Sequence, residues 1–541
     1  MNWNLLPTFA FWTMLGLYSA GSILSLLLRR ERASTSIAAL CASLGCTAAL
    51  LCGAGILAGA SSPMLALDTN LPFGVLSVHL DRLSAFFLSV IGLVSLPITL
   101  YSVGYLRLQT GMRVRTFGML LNLLLLSLVL TVSAADMIVF LIAWEAMSFL
   151  SAFAVIYTYE EQRTVRSGYT MLAISEIGTI GILVAFLLLY QASGSFNYEG
   201  LRLGSTLLSV PLRSVVFLCA FFGFGAKVGI LPLQFWMPDA YHAAPDHISA
   251  LLSGVLVNLG IYGLARFLLD FLGNHGAIPS WWGLFALALG AVMALIGILY
   301  AVVQQDLKRI LAYSSIENMG ILLASLGATL TFWSYHLIVL AAIAALVTLY
   351  HMLNHAAYKS LLFLCAGSVQ RATGSSELAK LGGLIRLMPW TALFFILAAL
   401  AISAVPPLNG YISEWMLLET LLQSFAIPDT FAKIVIAFSG GLLALTAAIA
   451  VTAFVRASAV TFLALPHSKD VASAQESPLS MRFAMGFLAL LCTLLGILPT
   501  FVLPVLDRVT TPLLGRSVLN QVVPPLFTNH PGDYQALVTL G

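Results

Sequence analysis

Long apolar segments separated by short polar ones fill most of the chain. About fourteen of these segments approach 20 residues or more, the length a helix needs to cross roughly 30 Å of hydrocarbon. They lie near 5–28, 36–59, 83–105, 117–134, 137–157, 169–191, 213–235, 247–270, 281–303, 309–330, 335–357, 389–421, 430–464 and 482–505. The pattern predicts an all-α, polytopic integral membrane protein. A polar stretch at 61–82, with Pro, Asn and Gly, predicts a short extramembrane hairpin.

Two of the predicted spans are interrupted by glycine and proline. The seventh reads FFGFGAKVGILP at 221–232, and the twelfth reads ISAVPPLNGYISEW at 402–415. Broken helices at matching places in two halves indicate an inverted-repeat transporter with sites near the midplane, and ordinary proline kinks are the alternative. The predicted organisation is three N-terminal helices and the hairpin at 1–110, a first five-helix repeat at 111–272, a second, inverted repeat at 273–466, and a C-terminal helix and tail at 467–541.

Composition supports the membrane class and excludes several others. The chain is 60% hydrophobic and 9% charged, whereas about a quarter of the residues of a soluble domain are charged. A net charge of +3, without any long basic run, excludes a nucleic-acid partner. The six cysteines stand singly in apolar runs and are predicted to be small core residues, so we expect this chain to bind no metal, iron–sulfur cluster or other cofactor.

The basic residues predict the orientation. They concentrate in the loops that follow odd-numbered spans: Arg29, Arg30, Arg32, Arg107, Arg113, Arg115, Arg163, Arg166, Lys308, Arg309, Arg371, Lys380, Arg386, Lys469 and Arg482. By the positive-inside rule these loops are cytoplasmic, so both termini are predicted on the other side of a cell inner membrane. The first apolar segment ends in arginines, the reverse of a cleaved signal peptide, and is predicted to be a retained span.

Charged residues inside the spans are the first functional candidates. An ionisable side chain at the bilayer centre costs about 2.5–3.5 kcal/mol, so it faces protein or water and is a functional hypothesis by default. Glu145 lies midway along the fifth span and Lys227 lies just before the break in the seventh. We predict that they form the input pair of a proton path, with Glu176 of the sixth span in contact with the Glu145 region. A static buried ion pair is the alternative.

A stripe of titratable residues marks the eleventh span. His351, His355 and Lys359 recur every fourth residue, which puts them on one helical face. Such a stripe is typical of a proton relay, because histidine exchanges protons near neutral pH. Glu414 follows the break in the twelfth span and is predicted to transfer protons, with capping of the second half-helix as the alternative.

Five further polar residues are predicted to have gating or accessory roles: His242, His247, Asn258, Glu317 and Arg456. The two histidines are predicted to lie in a short loop after the seventh span, where they either gate a cytoplasmic entrance or are simply solvated. Glu317 and Asp306 frame the start of the tenth span, where helix capping or snorkelling to the interface is the alternative explanation for both. Arg456 is predicted to neutralise a carboxylate or to face an aqueous exit.

Several long motifs, together, resemble a known family. They are WEAMS at 144–148, LPLQFWMPDAYHAAPDHISALLSG at 231–254, QQDLKRILAYSSIENMG at 304–320, NHAAYKSLLFLCAGSV at 354–369 and PPLNGYISEW at 406–415. Over about residues 80–465 the chain resembles the antiporter-like subunits of respiratory complex I, multisubunit cation/proton antiporters and membrane-bound hydrogenases. SSIEN at 314–318 and SEW at 413–415 are most similar to the large membrane subunits of formate hydrogenlyase and group 4 [NiFe] hydrogenases.

The resemblance implies a proton path and a set of partners. By matching motif, the path comprises Glu145, Lys227, His355, Lys359 and Glu414. The implied partners are other membrane subunits and a peripheral redox arm of hydrogenase and iron–sulfur subunits. The transported ion is implied to be the proton, with sodium as the alternative.

One position departs from the family pattern. The eighth span carries Ser253 and Asn258 where many relatives have a lysine or histidine, so the central step would need water or His247. Two other functions stay open. One is a subunit like those of NADH–quinone oxidoreductase, an Mrp-type antiporter or an inorganic-carbon uptake system; the other is a structural membrane anchor with an inactive channel.

Overall fold

The computed structural model describes residues 3–69, 75–107, 114–157, 159–273, 278–466 and 469–522. The predicted tip of the hairpin, Arg113 and the C-terminal tail beyond 522 lie outside the described residues. In the described part, helices account for almost all regular structure, and a two-stranded sheet accounts for the rest. The predicted all-α fold is confirmed.

Helices α1 to α10 come first in the chain: Leu6–Leu27, Glu31–Leu57, Arg82–Arg107, Val114–Ser133, Met137–Val155, Gln162–Ser193, Tyr198–Leu207, Val210–Val228, Trp236–Ala243 and Asp246–Phe271. Helices α11 to α18 follow: Ser280–Val303, Leu307–Ser334, Ile338–Thr373, Pro389–Ile402, Asn409–Leu422, Thr430–Leu463, Leu479–Ile497 and Pro499–Leu514. Strands β1, Met64–Asp68, and β2, Val75–His79, form the sheet.

Thirteen helical segments within the described residues are long and apolar enough to cross a membrane. The predicted twelfth span instead consists of two shorter helices, α14 and α15. The predicted sixth span begins too late in the chain, because α6 starts at Gln162. Arg163 and Arg166 therefore lie in its first turns and not in a loop.

The extramembrane hairpin is confirmed as an antiparallel pair, with Met64 opposite His79 and Asp68 opposite Val75. The connection between α4 and α5 holds it in position. The Asp136 carboxylate accepts hydrogen bonds from the Ser77 amide and hydroxyl, and it also caps α5 by accepting from the Val139 amide. This one carboxylate satisfies a donor that the first turn of a helix otherwise leaves without a partner.

Both predicted helix breaks are present. Helix α8 ends at Val228, and Gly229 follows with a φ of 75°, a conformation that glycine adopts without steric cost. Helix α14 ends at Ile402, and α15 begins at Asn409. The proline and glycine residues that the sequence places here cannot continue a helix, so main-chain groups become free of intrahelical partners at mid-span.

The contacts divide the chain into two compact units. The first unit contains α1 to α10, the hairpin and Ser477–Met485, and the second contains Gly276–Glu476 and the chain from Gly486 onward. The predicted domain boundaries and the two inverted repeats stay a prediction. A main-chain bridge closes one end of α5 in the first unit, Asp136 with Asn197, and of α12 in the second, Asp306 with Glu377.

Candidate functional site

Lys227 is the centre of a charged cluster in the first unit. Its side chain is only 1% exposed, and its ammonium group donates to the hydroxyl oxygens of Ser148 on α5, at 3.1 Å, and Ser175 on α6, at 3.4 Å. The ammonium also interacts electrostatically with Glu145 and Glu176. The structure thus brings Glu145, Glu176 and Lys227 into one region, and the role of Glu145 and Lys227 as the input pair stays a prediction.

The cluster depends on an unusually close approach of two helices. A Cβ atom on Gly178 of α6 would lie 2.6 Å from the main-chain oxygen of Gly223 on α8, which is too close for any side chain. Gly178 lies two residues after Glu176, and Gly223 lies one turn before Lys227. The two glycines thus let the backbones touch where the carboxyl and ammonium groups must come together.

The break after α8 favours a positive charge at this place. Lys227 lies in the last turn of α8, where the free carbonyl groups of a helix end carry partial negative charge. The indole nitrogen of Trp236 donates to the main-chain oxygen of Ala226 at 3.0 Å, so one of the carbonyls exposed by the break has a partner from α9. The lysine is held by two hydroxyls and by the helix end, and it needs no rigid ion pair.

Glu145 is less buried than its mid-span location predicted. It is half-buried, because α5 has an outward face on which Ile142 is 63% and Phe149 is 42% exposed. Its charge and that of Glu176 on α6 both act on the Lys227 ammonium. One carboxyl oxygen of each glutamate is buried without a hydrogen-bond partner.

The predicted stripe on the eleventh span forms a second cluster, in the second unit. His351, His355 and Lys359 are all fully buried on α13. The Lys359 ammonium donates to the main-chain oxygen of Leu311 at 3.0 Å and to the hydroxyl of Ser314 at 2.5 Å, both on α12. The predicted stripe is therefore directed into the protein, where its charged end contacts the neighbouring helix.

Glu317 completes this second cluster. It is 1% exposed, it interacts electrostatically with Lys359 and Glu414, and one of its carboxyl oxygens has no hydrogen-bond partner. The prediction that Glu317 caps a helix or snorkels to the interface is wrong, because it lies well inside α12. Asp306 caps that helix instead, accepting from the Arg309 amide at 3.0 Å.

Glu414 and the eleventh-span stripe meet at the start of α15. The amide nitrogen of Asn354 donates to the Asn409 main-chain oxygen at 2.9 Å and to the Ser413 hydroxyl at 3.0 Å. Ser413 also pairs with the Nδ1 atom of His351 at 3.0 Å. Glu414, the next residue, is half-buried and lies in the second turn of α15, beyond the reach of the partial charge of the helix start.

Several buried polar atoms of the second cluster lack a protein partner. They are both ring nitrogens of His355, the Nε2 atom of His351 and the side-chain oxygen of Asn409. Buried polar groups are almost always hydrogen-bonded, and water supplies the bond where protein does not. The cluster therefore has the chemistry of a hydrated relay, in which water links imidazole, ammonium and carboxyl groups.

The two histidines after the seventh span are not in a loop. His242 is half-buried on α9, and His247 is the second residue of α10, fully buried with its ring against Tyr105 and Phe117. The apolar residues between them give this polar segment a buried helical face, which the prediction of a solvated loop overlooked. His247 is consequently a core residue beside the aromatic rings of α3 and α4.

Two other accessory candidates make local contacts. Asn258 is 1% exposed and donates to the Gly254 main-chain oxygen at 2.8 Å. Arg456 donates to the main-chain oxygen of Gln304, so the carboxylate partner predicted for it is not found among the described residues. In the same part of the chain, no group of three or more His, Cys, Asp or Glu side chains could hold a metal ion.

A four-residue ion network was not predicted. Arg266 of α10 forms a bidentate pair with Asp81, and its guanidinium also contacts Asp270 at 2.8 Å. Arg202 of α7 donates to Asp270 through two nitrogens, at 2.7 and 2.9 Å. The spacing of Arg266 and Asp270, one turn apart at the end of an apolar span, was the available sequence signal.

The fold and the two lysine clusters define a polytopic membrane protein with ionisable groups held inside its helices. The chain belongs to the family described as NADH:quinone oxidoreductase/Mrp antiporter, whose sequence profile matches residues 134–443. A second profile, the N-terminus of chain 5 of NADH-ubiquinone oxidoreductase (complex I), matches residues 71–114. The family predicted from the motifs is confirmed.

Individual relatives refine the likeness. Hydrogenase-4 component B of Escherichia coli (strain K12) is 39% identical over 80% of this chain and 64% of its own length. Formate hydrogenlyase subunit 3 of the same organism is 32% identical over 83% of this chain and 71% of its own length. The chain thus spans about two thirds of the length of these relatives.

The fold is shared with a solved multisubunit assembly. A chain in the structure of the Mrp complex from Dietzia sp. DQ12-45-1b superposes with a TM-score of 0.79, covering 94% of this chain and 52% of that one, at 23% identity. The same helical architecture therefore occurs within a larger membrane complex.

Proposed function

We propose that this chain is the proton-translocating, antiporter-like membrane subunit of a redox-driven complex of the group 4 membrane-bound [NiFe] hydrogenase or formate hydrogenlyase type. The observation that carries the proposal is the pair of lysine clusters, one in each unit, each with two carboxyl groups on neighbouring helices. The names of the two relatives above favour the hydrogenase type. The redox chemistry belongs to partner subunits, and this chain moves protons.

In the first unit, proton binding and the location of the Lys227 ammonium are coupled. At 4 Å, two unit charges interact with about 4 kcal/mol at an effective dielectric constant near 20. Ionisation of Glu145 and Glu176 therefore attracts the Lys227 ammonium away from the hydroxyls of Ser148 and Ser175. Protonation of either carboxylate weakens this attraction, so the Lys227 side chain alternates between carboxyl and hydroxyl partners.

In the second unit, Lys359 lies between Glu317 and the imidazole stripe. A proton enters by way of His355 and His351, whose unpartnered nitrogens take water as a partner. Protonation of Glu317 weakens its attraction for the Lys359 ammonium, and the charge of Glu414 raises the affinity of Glu317 for that proton. The change in the Glu317–Lys359 interaction drives the next transfer. At Asn258 of the first unit, which holds no exchangeable charge, water carries the proton.

The partners and the orientation belong to the same proposal. Other membrane subunits and a peripheral hydrogenase and iron–sulfur arm supply the driving reaction, and the complex lies in the cell inner membrane. Both termini are outside the cytoplasm because the basic loops follow odd-numbered spans. Reporter fusions at each terminus test this: a cytoplasm-active reporter that works at either end contradicts the topology.

The decisive experiment removes the first cluster one charge at a time. Lys227→Ala is expected to abolish proton uptake by vesicles containing the purified complex, while the complex still assembles. Lys380→Ala, which removes a lysine paired with Glu377 at the surface, is the control for loss of a positive charge. The double variant Lys227→Ala/Glu145→Gln is expected to assemble and remain inactive. Full transport by the double variant overturns the mechanism.

Two other functions predict different results in the same experiment. Mrp-type cation/proton exchange is favoured by the family description, and it predicts sodium-dependent proton movement without any electron donor. A structural anchor predicts that Lys227→Ala changes complex yield alone, and that Glu145→Gln restores that yield with no change in transport. Proton uptake measured beside yield, with and without sodium, separates the three.

A further inference from the structure

A cavity of about 660 Å³ lies beside the extramembrane hairpin of the first unit, away from the Lys227 cluster. The hairpin, the α4–α5 connection and the start of α7 form its walls. Main-chain hydrogen bonds join these segments: Ala135 donates to Ser77, Met137 to Phe196, and Tyr198 to Ala135. The walls of the cavity are therefore held together by main-chain hydrogen bonds.

The ion network forms the inner wall of this cavity. Asp81, Arg202 and Arg266 all line it, and the side chains of Asp81 and Arg202 are 34% and 31% exposed. Arg266, by contrast, is 2% exposed and lies between Asp81 and Asp270. Asp81 and Arg202 of the network face the cavity, and Arg266 and Asp270 are charged residues buried in the protein.

A polar stripe continues from Arg266 along α10. One guanidinium nitrogen donates to the hydroxyls of Ser84, at 3.1 Å, and Tyr262, at 3.3 Å. Asn258 lies one turn further along the same face, and its side-chain oxygen has no partner. Three successive turns of a fully buried span are thus polar on one side, from the cavity to the middle of the helix.

Unpartnered donors occur at the cavity end of the stripe. The Tyr198 hydroxyl and the Nε atom of Arg266 are buried without a hydrogen-bond partner, and the Arg266 guanidinium lies 5.6 Å from the centre of the Tyr198 ring. Both groups are donors, so each requires an acceptor, and water is the acceptor that fits a polar cavity. Turns of π-helix at Leu252–Leu256 and Arg266–Phe271 flank the stripe, and such turns are frequent at functional sites.

We propose that this cavity is the mouth of a hydrated route which enters the first unit from the hairpin side and follows Ser84, Arg266 and Tyr262 to Asn258. The ligand of the site is water, and protons move along it. The route gives Asn258 a source of water, and it does not depend on which complex the chain joins. Arg266, fixed by two aspartates, sets its narrowest point.

The test is accessibility of single cysteines in the full chain, within its complex in membrane vesicles. All six native cysteines are first replaced by alanine. Ser195→Cys, at the cavity wall, identifies the hairpin side by its reaction with a membrane-impermeant cationic methanethiosulfonate. Ser84→Cys and Asn258→Cys are then probed with silver ion, which is small enough for a narrow route, from each side of the membrane. Thiols left unreacted are counted with a maleimide after denaturation.

Neighbouring buried residues at equal depth provide the controls: Ala85→Cys for Ser84 and Leu259→Cys for Asn258. We expect the two route cysteines to react from the hairpin side at least about tenfold faster than their controls, because a thiol must be hydrated to ionise and react. Equal rates in route and control cysteines overturn the proposal, as does reaction of Asn258→Cys only from the opposite side. Ser84→Cys changes one atom, so it keeps the test decisive if Asn258→Cys fails to assemble.

Discussion

The two units hold the same set of charges in different surroundings. Each has one lysine and two glutamates on three helices: Glu145, Glu176 and Lys227 in the first unit, and Glu317, Lys359 and Glu414 in the second. Both lysines are 1% exposed or less, but the carboxyl groups differ: in the first unit both are half-buried, whereas in the second Glu414 is half-buried and Glu317 is 1% exposed. The more open first cluster can exchange protons with its surroundings directly, and the more sealed second cluster depends at Glu317 on an internal relay such as the histidine stripe.

The two helix breaks place their charged residues differently. Lys227 lies in the last turn of α8, where the partial negative charge of the helix end favours a cation. Glu414 is the sixth residue of α15, beyond the first turn, so the charge of the helix start does not account for it. The helix-end charge therefore contributes at the break in the first unit and not at the break in the second.

The largest difference is expected from removing each lysine. Lys359→Ala leaves Glu317 buried without a counter-charge, at a cost of about 3–5 kcal/mol, so complex yield and the thermal denaturation midpoint should fall sharply. Lys227→Ala should cost clearly less, because Glu145 and Glu176 are only half-buried and water can solvate their carboxylates. Glu317→Gln should restore yield to Lys359→Ala. Equal losses for the two lysines would remove the distinction between an open and a sealed cluster.

Asn258→Lys is expected to alter transport while leaving assembly intact. The stripe on α10 offers water to an ammonium at this place, and a lysine can persist there as a neutral amine. The measurement is proton uptake beside complex yield, with Leu259→Lys as the apolar-face control that should fail to assemble. Loss of the complex in Asn258→Lys would mean that the surroundings of Asn258 are dry.

Asp81→Asn tests the ion network of the first unit. Burial raises the pKa of Asp81, but the Arg266 guanidinium and the hydrogen bonds from Arg266 and Ser84 outweigh it and hold the pKa below its usual range. A lowered pKa contributes stability above the unfolded value, near 3.9, and loses it as the pH falls further. The variant should be about 1–2 kcal/mol less stable at pH 7, since the carboxylate is partly exposed. The difference should shrink below about pH 4; a difference independent of pH contradicts the assignment.

The smallest loss of stability is expected from removing a helix cap, and it should be nearly equal in the two units. Asp136→Ala and Asp306→Ala each remove a helix cap, which costs about 1 kcal/mol. Thermal denaturation of the two variants provides the comparison. Asp136 also holds the hairpin through Ser77, so its loss should be slightly greater; a clearly larger effect of Asp306→Ala would show that the two capping sites are not equivalent.

The sequence was sufficient to predict the features that depend on the order of residues within one helix. Neighbouring residues are enough to locate the apolar segments and the helix breaks. They also give the four-residue spacing of His351, His355 and Lys359. Contacts between helices were harder to predict: Arg266 and Asp81 are 185 residues apart, and nothing local joins them. Glu317 was misassigned for the same reason, because its distance along α12 from Asp306 says nothing about the lysine on α13.

The close contact between Gly178 and Gly223 has a mechanical consequence. No side chain fits between α6 and α8 there, so the spacing of the two helices is set by their backbones alone. Any larger residue at either position would push the helices apart and lengthen the distance that the Lys227 side chain must span to reach α5 and α6. The reach of a single four-carbon chain is therefore matched to a helix spacing that only glycine permits.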